Sequence, residues 1–279
     1  MTPIAVIRAD ASQKIGGGHI YRCLTLANAL ADAGWYCVFA CRAGTVETVS
    51  ALARSRHSIL DLDTADESAR LRERYPGGID LLVVDHYGLN ARFETACHAW
   101  ARQIMVLDDV PGRRHDCDIL LDQNLGADEE SYRGYVPDHC RLLVGPRYAL
   151  LRPQFAMGRR NAVTKRAARG PARRLLVSLG ASDPLNITPA IVSAAAGLQL
   201  ELDVVLGASS NQGDAILKMA FQLGVDVRIY IDVADMAALM ISADMAVGAG
   251  GATSWERCCL GLPTLLVVTA DNQTVVAQH

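Results

Sequence analysis

Short runs of apolar, often β-branched residues alternate with longer amphipathic stretches along this 279-residue chain. In the first half the runs are Ile4–Ile7, Tyr36–Phe39, Leu81–Val84, Ile104–Leu107 and Ile119–Leu121, each suited to a strand buried on both faces. The clearest helical pattern between them covers Ile20–Ala33 and stops at Gly34, a natural helix terminator. A second series follows: Leu175–Leu179, Asp203–Leu206, Val227–Ile231, Met245–Val247 and Thr264–Val268, with helices fitting at about 187–197, 212–223, 235–242 and 252–260. Two successive strand–helix series predict parallel sheets covered by helices on both faces. The expected class is α/β, with two Rossmann-like lobes facing each other across a cleft and ligands at the carboxyl ends of the strands.

Charge marks the boundary. Hydrophobic residues make up 51% of the chain and charged ones 20%, enough for a sizeable core, and the net charge is only −3. Such a balance gives no electrostatic case for a nucleic-acid or membrane-surface partner. Yet residues 1–158 carry 17 basic and 20 acidic groups, 159–174 carry 7 and none, and 175–279 carry 3 and 10. The basic strip has no apolar periodicity, so it is expected to be a linker. The division that follows is an N-terminal lobe 1–157, a linker 158–174 and a C-terminal lobe 175–279.

No apolar run approaches the roughly 20 residues of a spanning helix. The N-terminus enters a strand-like run containing Arg8 and Asp10, unlike a signal peptide. Eight cysteines occur without a C-x-x-C pair, which points to reduced, mostly buried thiols and a cytoplasmic setting.

Three strand–helix turns could carry chemistry. In Arg8–His19, glycines at 16, 17 and 18 precede the first long helix, allowing close backbone approach and leaving free amides that favour an anion. The spacing is not that of a dinucleotide site. His19 projects from this turn; it is either a proton acceptor at the cleft or a helix-capping residue. In Gly248–Glu256, Gly250, Gly251, Ala252 and Thr253 suit a diphosphate, and Glu256 could accept from vicinal ribose hydroxyls; the alternative is a tight turn with a solvated Glu256. In Leu179–Asp183, Gly180 can approach a ligand, while Ser182 or Asp183 could instead cap the next helix. The neighbouring acids of Asp108-Asp109 would point in different directions, so no metal site is expected. His98, His115 and His139 read as surface or structural.

Arg8-Ala9-Asp10-Ala11-Ser12, with Ile15-Gly16-Gly17-Gly18-His19 and Arg22-Cys23-Leu24, resembles the opening of the UDP-sugar hydrolases of pseudaminic acid biosynthesis. The substrate of that family is UDP-2,4-diacetamido-2,4,6-trideoxy-β-L-altropyranose. The resemblance continues through Val84-Asp85-His86-Tyr87-Gly88, Asp108-Asp109, Cys117–Leu121, Tyr148–Arg152 and Phe155, then Leu179–Asp183, Ile231-Asp232, Met236 and Asn272-Gln273. The block near 250 also looks like the nucleotide-binding motif of the peptidoglycan GlcNAc transferase, a two-lobed GT-B protein.

This resemblance implies a GT-B-like fold and a UDP-sugar substrate, with His19 acting on water and Tyr87 in support. It implies further that Gly16–Gly18, Arg152, Gly180, Ser182, Asp183, Ile231, Gly250–Thr253, Glu256, Asn272 and Gln273 bind substrate. The reaction implied is inverting hydrolysis at the anomeric carbon without metal or cofactor, in a pathway that supplies flagellin glycosylation. Asp10 is expected, on our own reading, to orient the imidazole. Two features depart from the pattern. The chain ends seven residues after Asn272, leaving little of the terminal helix that in GT-B proteins packs back on the first lobe, and Gly17 is expected to loosen the loop. The competing readings are a GT-B glycosyltransferase using a UDP-sugar donor and a non-catalytic UDP-sugar binding module.

Overall fold

The computed structural model describes residues 2–278 except 13, 169, 181, 182, 184, 209 and 270–272. The N-terminal part contains β1 (Ile4–Ala9), α1 (Gly18–Asp32), β2 (Tyr36–Cys41), α2 (Thr45–Thr48), α3 (Ser50–Ala53), β3 (Ser58–Asp61), α4 (Glu67–Arg74), β4 (Leu81–Asp85), α5 (Ala91–Cys97), β5 (Ile104–Leu107), β6 (Ile119–Asp122) and β7 (Arg141–Val144). Its seven strands form one parallel sheet in the order β3-β2-β1-β4-β5-β6-β7. Helix α6 (Pro153–Ala167) follows. The C-terminal part contains β8 (Arg174–Ser178), α7 (Thr188–Ala194), β9 (Glu201–Leu206), α8 (Gly213–Leu223), β10 (Asp226–Ile231), α9 (Met236–Ser242), β11 (Met245–Ala249), α10 (Thr253–Cys259), β12 (Thr264–Val267) and α11 (Thr274–Gln278). Its five strands are also parallel, in the order β10-β9-β8-β11-β12. Both sheets therefore change direction once, between β1 and β4 and between β8 and β11, and a crevice opens at the strand ends there.

Each sheet is buried on both faces, which explains why its central strands read as unbroken apolar runs. On α1, Ile20, Cys23, Leu24 and Ala27 make one helical stripe against Ala5, Ile7 and Phe39. The edge strands β3 and β7 escaped the pattern reading; β3 alternates half-buried and exposed positions, and β7 begins on the exposed Arg141. No helix among the described residues is long and apolar enough to cross a membrane. Five of the eight cysteines are buried.

The strip expected to be a linker is largely helix: α6 takes in residues 153–167. Only Phe155 and Ala162 are fully buried, in the cluster with Met236, Met240 and Leu260, so the helix shows almost no apolar stripe. Cations hold it instead. Arg159 donates to the Cys259 carbonyl (2.5 Å), Lys165 to Ser242 (2.6 Å), and Arg166 to both Leu260 (2.7 Å) and Met240 (2.6 Å). These carbonyls are the unpaired C-terminal ends of α9 and α10, where positive charge is favoured. The basic strip is thus a clamp on two helix ends, and its pattern is legible only once those ends are in place.

Phe155→Ala is expected to destabilise the protein by about 3–5 kcal/mol through the cavity it leaves. Met157→Ala, on the exposed side of α6 (82% exposed), should stay within about 0.5 kcal/mol. Urea unfolding of the two variants checks the contrast.

Candidate active site

The first crevice gathers groups from three elements. Asp85 ends β4 directly beside Ala9 of β1, and the chain leaving β1 returns through the glycine turn into α1. His19 and Arg22 are three residues apart on α1, so one helix face presents both to Asp85. The His19 Nδ1 lies 2.5 Å from Asp85 Oδ1. Arg22 grips the same carboxylate with two bonds, Nε to Oδ2 and Nη2 to Oδ1, both 2.6 Å. Its Nη1 reaches Asp109 Oδ2 at 3.1 Å, and Tyr87 donates its hydroxyl to Asp109 Oδ1 at 2.6 Å. The Tyr87 ring meets the imidazole edge-on, with centroids 4.9 Å apart.

Burial alone would raise the Asp85 pKa, but Arg22 and then His19 outweigh it and hold the carboxyl well below the usual range. Asp85 is therefore an acceptor only, so His19 Nδ1 carries the proton and Nε2 is the lone-pair nitrogen of the neutral ring. Nε2 makes no hydrogen bond among the described residues. Two carboxylates and one guanidinium leave one net negative charge behind the ring.

Asp10 does not orient His19. It binds Arg8 Nη1 (2.7 Å), the Arg42 amide (2.8 Å) and His86 Nε2 (3.4 Å), in a second network completed by the Arg8–Glu67 pair. Arg8 is fully buried and needs both acids, which commits Asp10 to it. Gly17 does not loosen the loop either. A Cβ there would lie 2.9 Å from Val49 Cγ2, and the Gly16 amide (φ +79°) closes a turn on the Ser12 carbonyl at 2.7 Å. Gly18 begins α1 with open space around it.

The second crevice lies between the ends of β8 and β11. Gly180 has φ +94° after β8, and Gly250 and Gly251 follow β11, leading to Ala252 and Thr253 at the start of α10. Glu256 is buried on α10. Its Oε1 accepts from Arg152 Nε (3.1 Å) and Nη2 (2.9 Å), while its buried Oε2 has no partner. Burial pushes this carboxyl upward against the pull of Arg152. Ile231 is exposed at the end of β10. Asp232 beside it crosses to the N-terminal part, accepting from Ser50 Oγ (2.6 Å) and Arg54 Nη1 (2.9 Å).

Two expected substrate ligands are committed elsewhere. Asp183 Oδ1 accepts from the Ile187 amide, and Oδ2 from the amide and hydroxyl of Thr188, so the carboxylate caps α7. The Gln273 side-chain oxygen braces the glycine turn, accepting from the Gly250 amide (3.2 Å) and the Thr269 amide (2.9 Å). Ser182 and Asn272 lie outside the described residues. Asp108 and Asp109 diverge, Asp109 to Arg22 and Asp108 to Arg113 and His115. The roles of Asp85, Arg22 and Asp109 are not evident from the motifs that contain them. The three-residue spacing of His19 and Arg22 was the usable signal; the pairing with Asp85 needed the strand order.

No protein-family model matches the chain. Among curated proteins it is similar to the spore coat polysaccharide biosynthesis protein SpsG of Bacillus subtilis, 27% identical over 282 residues, covering 98% of this chain and 79% of that protein. It is also similar to the UDP-2,4-diacetamido-2,4,6-trideoxy-beta-L-altropyranose hydrolase of Campylobacter jejuni, 26% identical over 237 residues, covering 84% of this chain and 80% of that protein. A third relative, an uncharacterized protein of Methanocaldococcus jannaschii, is 23% identical over 97% of this chain, which spans 56% of that protein's length. Among solved structures, MurG of Acinetobacter baumannii superposes with a TM-score of 0.66 at 14% identity, covering 100% of this chain and 83% of that one. HepE of Anabaena, solved with UDP and glucose, gives 0.57 at 11% identity, covering 99% and 88%. The fold is GT-B-like.

Behind this site His115 sits between Glu94 (Nδ1, 2.8 Å) and Asp108 (Nε2, 2.9 Å). Burial lowers its pKa, but the two carboxylates outweigh it and raise it to about 9. The folded value lies above the unfolded one near 6.5, so its stabilisation is full below about pH 6.5 and fades as pH rises through 9. His115→Gln should remove this component, on the order of 2 kcal/mol, and flatten stability between pH 6.5 and 9. Urea midpoints across that range check it.

Proposed function

We propose that the chain hydrolyses a UDP-linked 2,4-diacetamido-2,4,6-trideoxyhexose at its anomeric carbon, releasing UDP and the free sugar with inversion. The observation that carries this reading is the His19–Asp85–Arg22 cluster, which leaves one imidazole nitrogen as a proton acceptor at the sheet's crevice. The similarity to the Campylobacter jejuni hydrolase supports the substrate class.

In this reading the nucleotide lies against the C-terminal lobe. The turn at Gly250–Thr253 faces the diphosphate, and the unpartnered oxygen of Glu256 accepts from a ribose hydroxyl. Gly180 borders the same crevice, whereas Ile231 ends the edge strand β10, two strands away from β8. His19 Nε2 takes a proton from water as the water oxygen bonds to the anomeric carbon. The bond from that carbon to the diphosphate oxygen breaks, and its electron pair leaves with UDP. UDP is a weakly basic leaving group, so no strong acid is needed behind it. Asp85 fixes the tautomer and steadies the imidazolium; Arg22 keeps Asp85 ionised. Tyr87 confines the ring from one side.

One observation favours a second reading, transfer of the sugar to an acceptor. A cavity of about 360 Å³ opens beside Tyr87, lined by Asn90, Ala91, Arg113 and Arg114, and it could seat a second substrate. An NMR time course with the UDP-sugar alone separates the two. Hydrolysis predicts UDP and free sugar of inverted configuration with no acceptor present, whereas turnover that starts only when an acceptor is added establishes the transferase. His19→Gln should abolish turnover and leave the Kd for UDP within about twofold. Asp85→Asn, which can offer an N–H to Nδ1 and so favour the wrong tautomer, should lower kcat by about 10²–10⁴.

A further inference from the structure

Among the described residues three arginines are buried: Arg8, Arg22 and Arg257. The first two are matched by carboxylates. Arg257, at 2% exposure on α10, is not. Its guanidinium donates to the Ala249 carbonyl (Nη2, 2.7 Å), Ser254 Oγ (Nη2, 3.0 Å) and Thr253 Oγ1 (Nη1, 3.2 Å), all neutral and all part of the glycine-rich turn or its helix start. Its Nε is buried without a partner. Room for the group is built into the sheet: a Cβ on Gly248 would lie 2.3 Å from Arg257 Nη1. Burial lowers its pKa to about 10, which leaves it charged at neutral pH.

The nearest counter-charge to Arg257 is the neighbouring Glu256, whose hydrogen bonds go to Arg152 instead, so no carboxylate contacts the guanidinium. Burying a cation this way is expensive, and hydrogen bonds to neutral oxygens offset only part of the penalty. The C-terminal lobe has 3 basic and 10 acidic residues from 175 onward, so bulk charge repels an anion there. Of the other two cations, Arg228 pairs with Glu201 and Lys218 lies on α8. We propose that Arg257 is the fixed counter-charge for a nucleoside diphosphate, set behind the Gly248–Thr253 turn and acting through it. The inference rests on the nucleotide-sugar reading above and names the group that makes an acidic lobe accept an anion. Arg257 is a positioning and electrostatic residue rather than a catalytic one. It holds the turn by its hydrogen bonds, and its charge is screened little because it is dry. As the anomeric bond breaks, the diphosphate gains negative charge, so the same group favours departure of UDP.

Calorimetric titration of UDP and of uridine into the intact wild-type chain, Arg257→Met and Arg257→Lys tests this. Arg257→Met should lose about tenfold or more in UDP affinity and hold uridine within about twofold, with Arg257→Lys recovering most of the loss. A purely structural brace would weaken both ligands in parallel, and an uninvolved residue neither; each result overturns the proposal. Should Arg257→Met fail to fold, Gly248→Ala, which displaces the guanidinium, is held to the same UDP-against-uridine comparison. Wild-type protein that binds neither ligand overturns the nucleotide reading itself, whereas wild-type binding of UDP with variants unchanged overturns the role of Arg257 alone.

Discussion

A carboxylate at the inner end of a strand governs the N-terminal lobe. Asp85 is 1% exposed, and an isolated ion in that position would cost several kcal/mol. Arg22 offsets this with two short bonds, which is possible only if the first turns of α1 lie tightly over the end of β4. The chain must then cover the distance from β1 to α1 in a compact turn. Hence Gly16 takes a left-handed conformation, and Gly17 packs against Val49 with no space for a side chain. The imidazole of His19 is carried into place by the same constraint. The glycines of this loop serve the electrostatics of Asp85 first, and any ligand meets a turn already shaped by it.

The two lobes handle charge in opposite ways. At the strand ends of the first sheet, two networks stand side by side, one joining Arg8, Asp10, Glu67, Arg42 and His86, the other joining Arg22, Asp85, Asp109, Tyr87 and His19. The first pairs two arginines with two carboxylates, while the second sets one arginine between two carboxylates; both fix geometry more than they add stability. The second sheet has few ions at its crevice and relies on glycine turns, one braced by Gln273 and one followed by the Asp183 cap. The first arrangement suits a proton-handling group that must hold one orientation. The second suits close backbone approach to a ligand, with selectivity left to the few polar groups that remain unpaired, such as Glu256 Oε2.

The central strands and α1 were legible because burial on both sheet faces writes continuous apolar runs, and one-sided helix burial writes a stripe at Ile20, Cys23, Leu24 and Ala27. The edge strands β3 and β7 were not, whereas β10 and β12, the edges of the second sheet, were. Helix α6 was misread because its anchoring is to carbonyls, and a basic residue that caps a distant helix looks like one that faces water. At the site, His19 and the glycine turns stood out by residue type and position. The partner of His19 did not, since Asp10 and Asp85 both end strands next to α1, and only the demand of Arg8 for Asp10 decides between them. Asp183 and Gln273 look like ligands in sequence for the same reason that they work as braces: both offer oxygens beside a glycine turn.

The contacts between the lobes follow a single chemical rule. Asp232, in a left-handed conformation (φ +51°), reaches Ser50 and Arg54, and Arg152 reaches Glu256 from the residue that precedes α6. These ties are polar; the exposed Arg54 can exchange Asp232 for water with little penalty, whereas Glu256 is buried and depends on Arg152. Helix α6 itself belongs to the C-terminal side, clamped on α9 and α10, so the chain passes from one sheet to the other at the segment around Arg152. Under the nucleotide-sugar reading proposed above, a ligand hydroxyl that donates to the Glu256 carboxylate meets the same group that receives Arg152, the residue preceding α6.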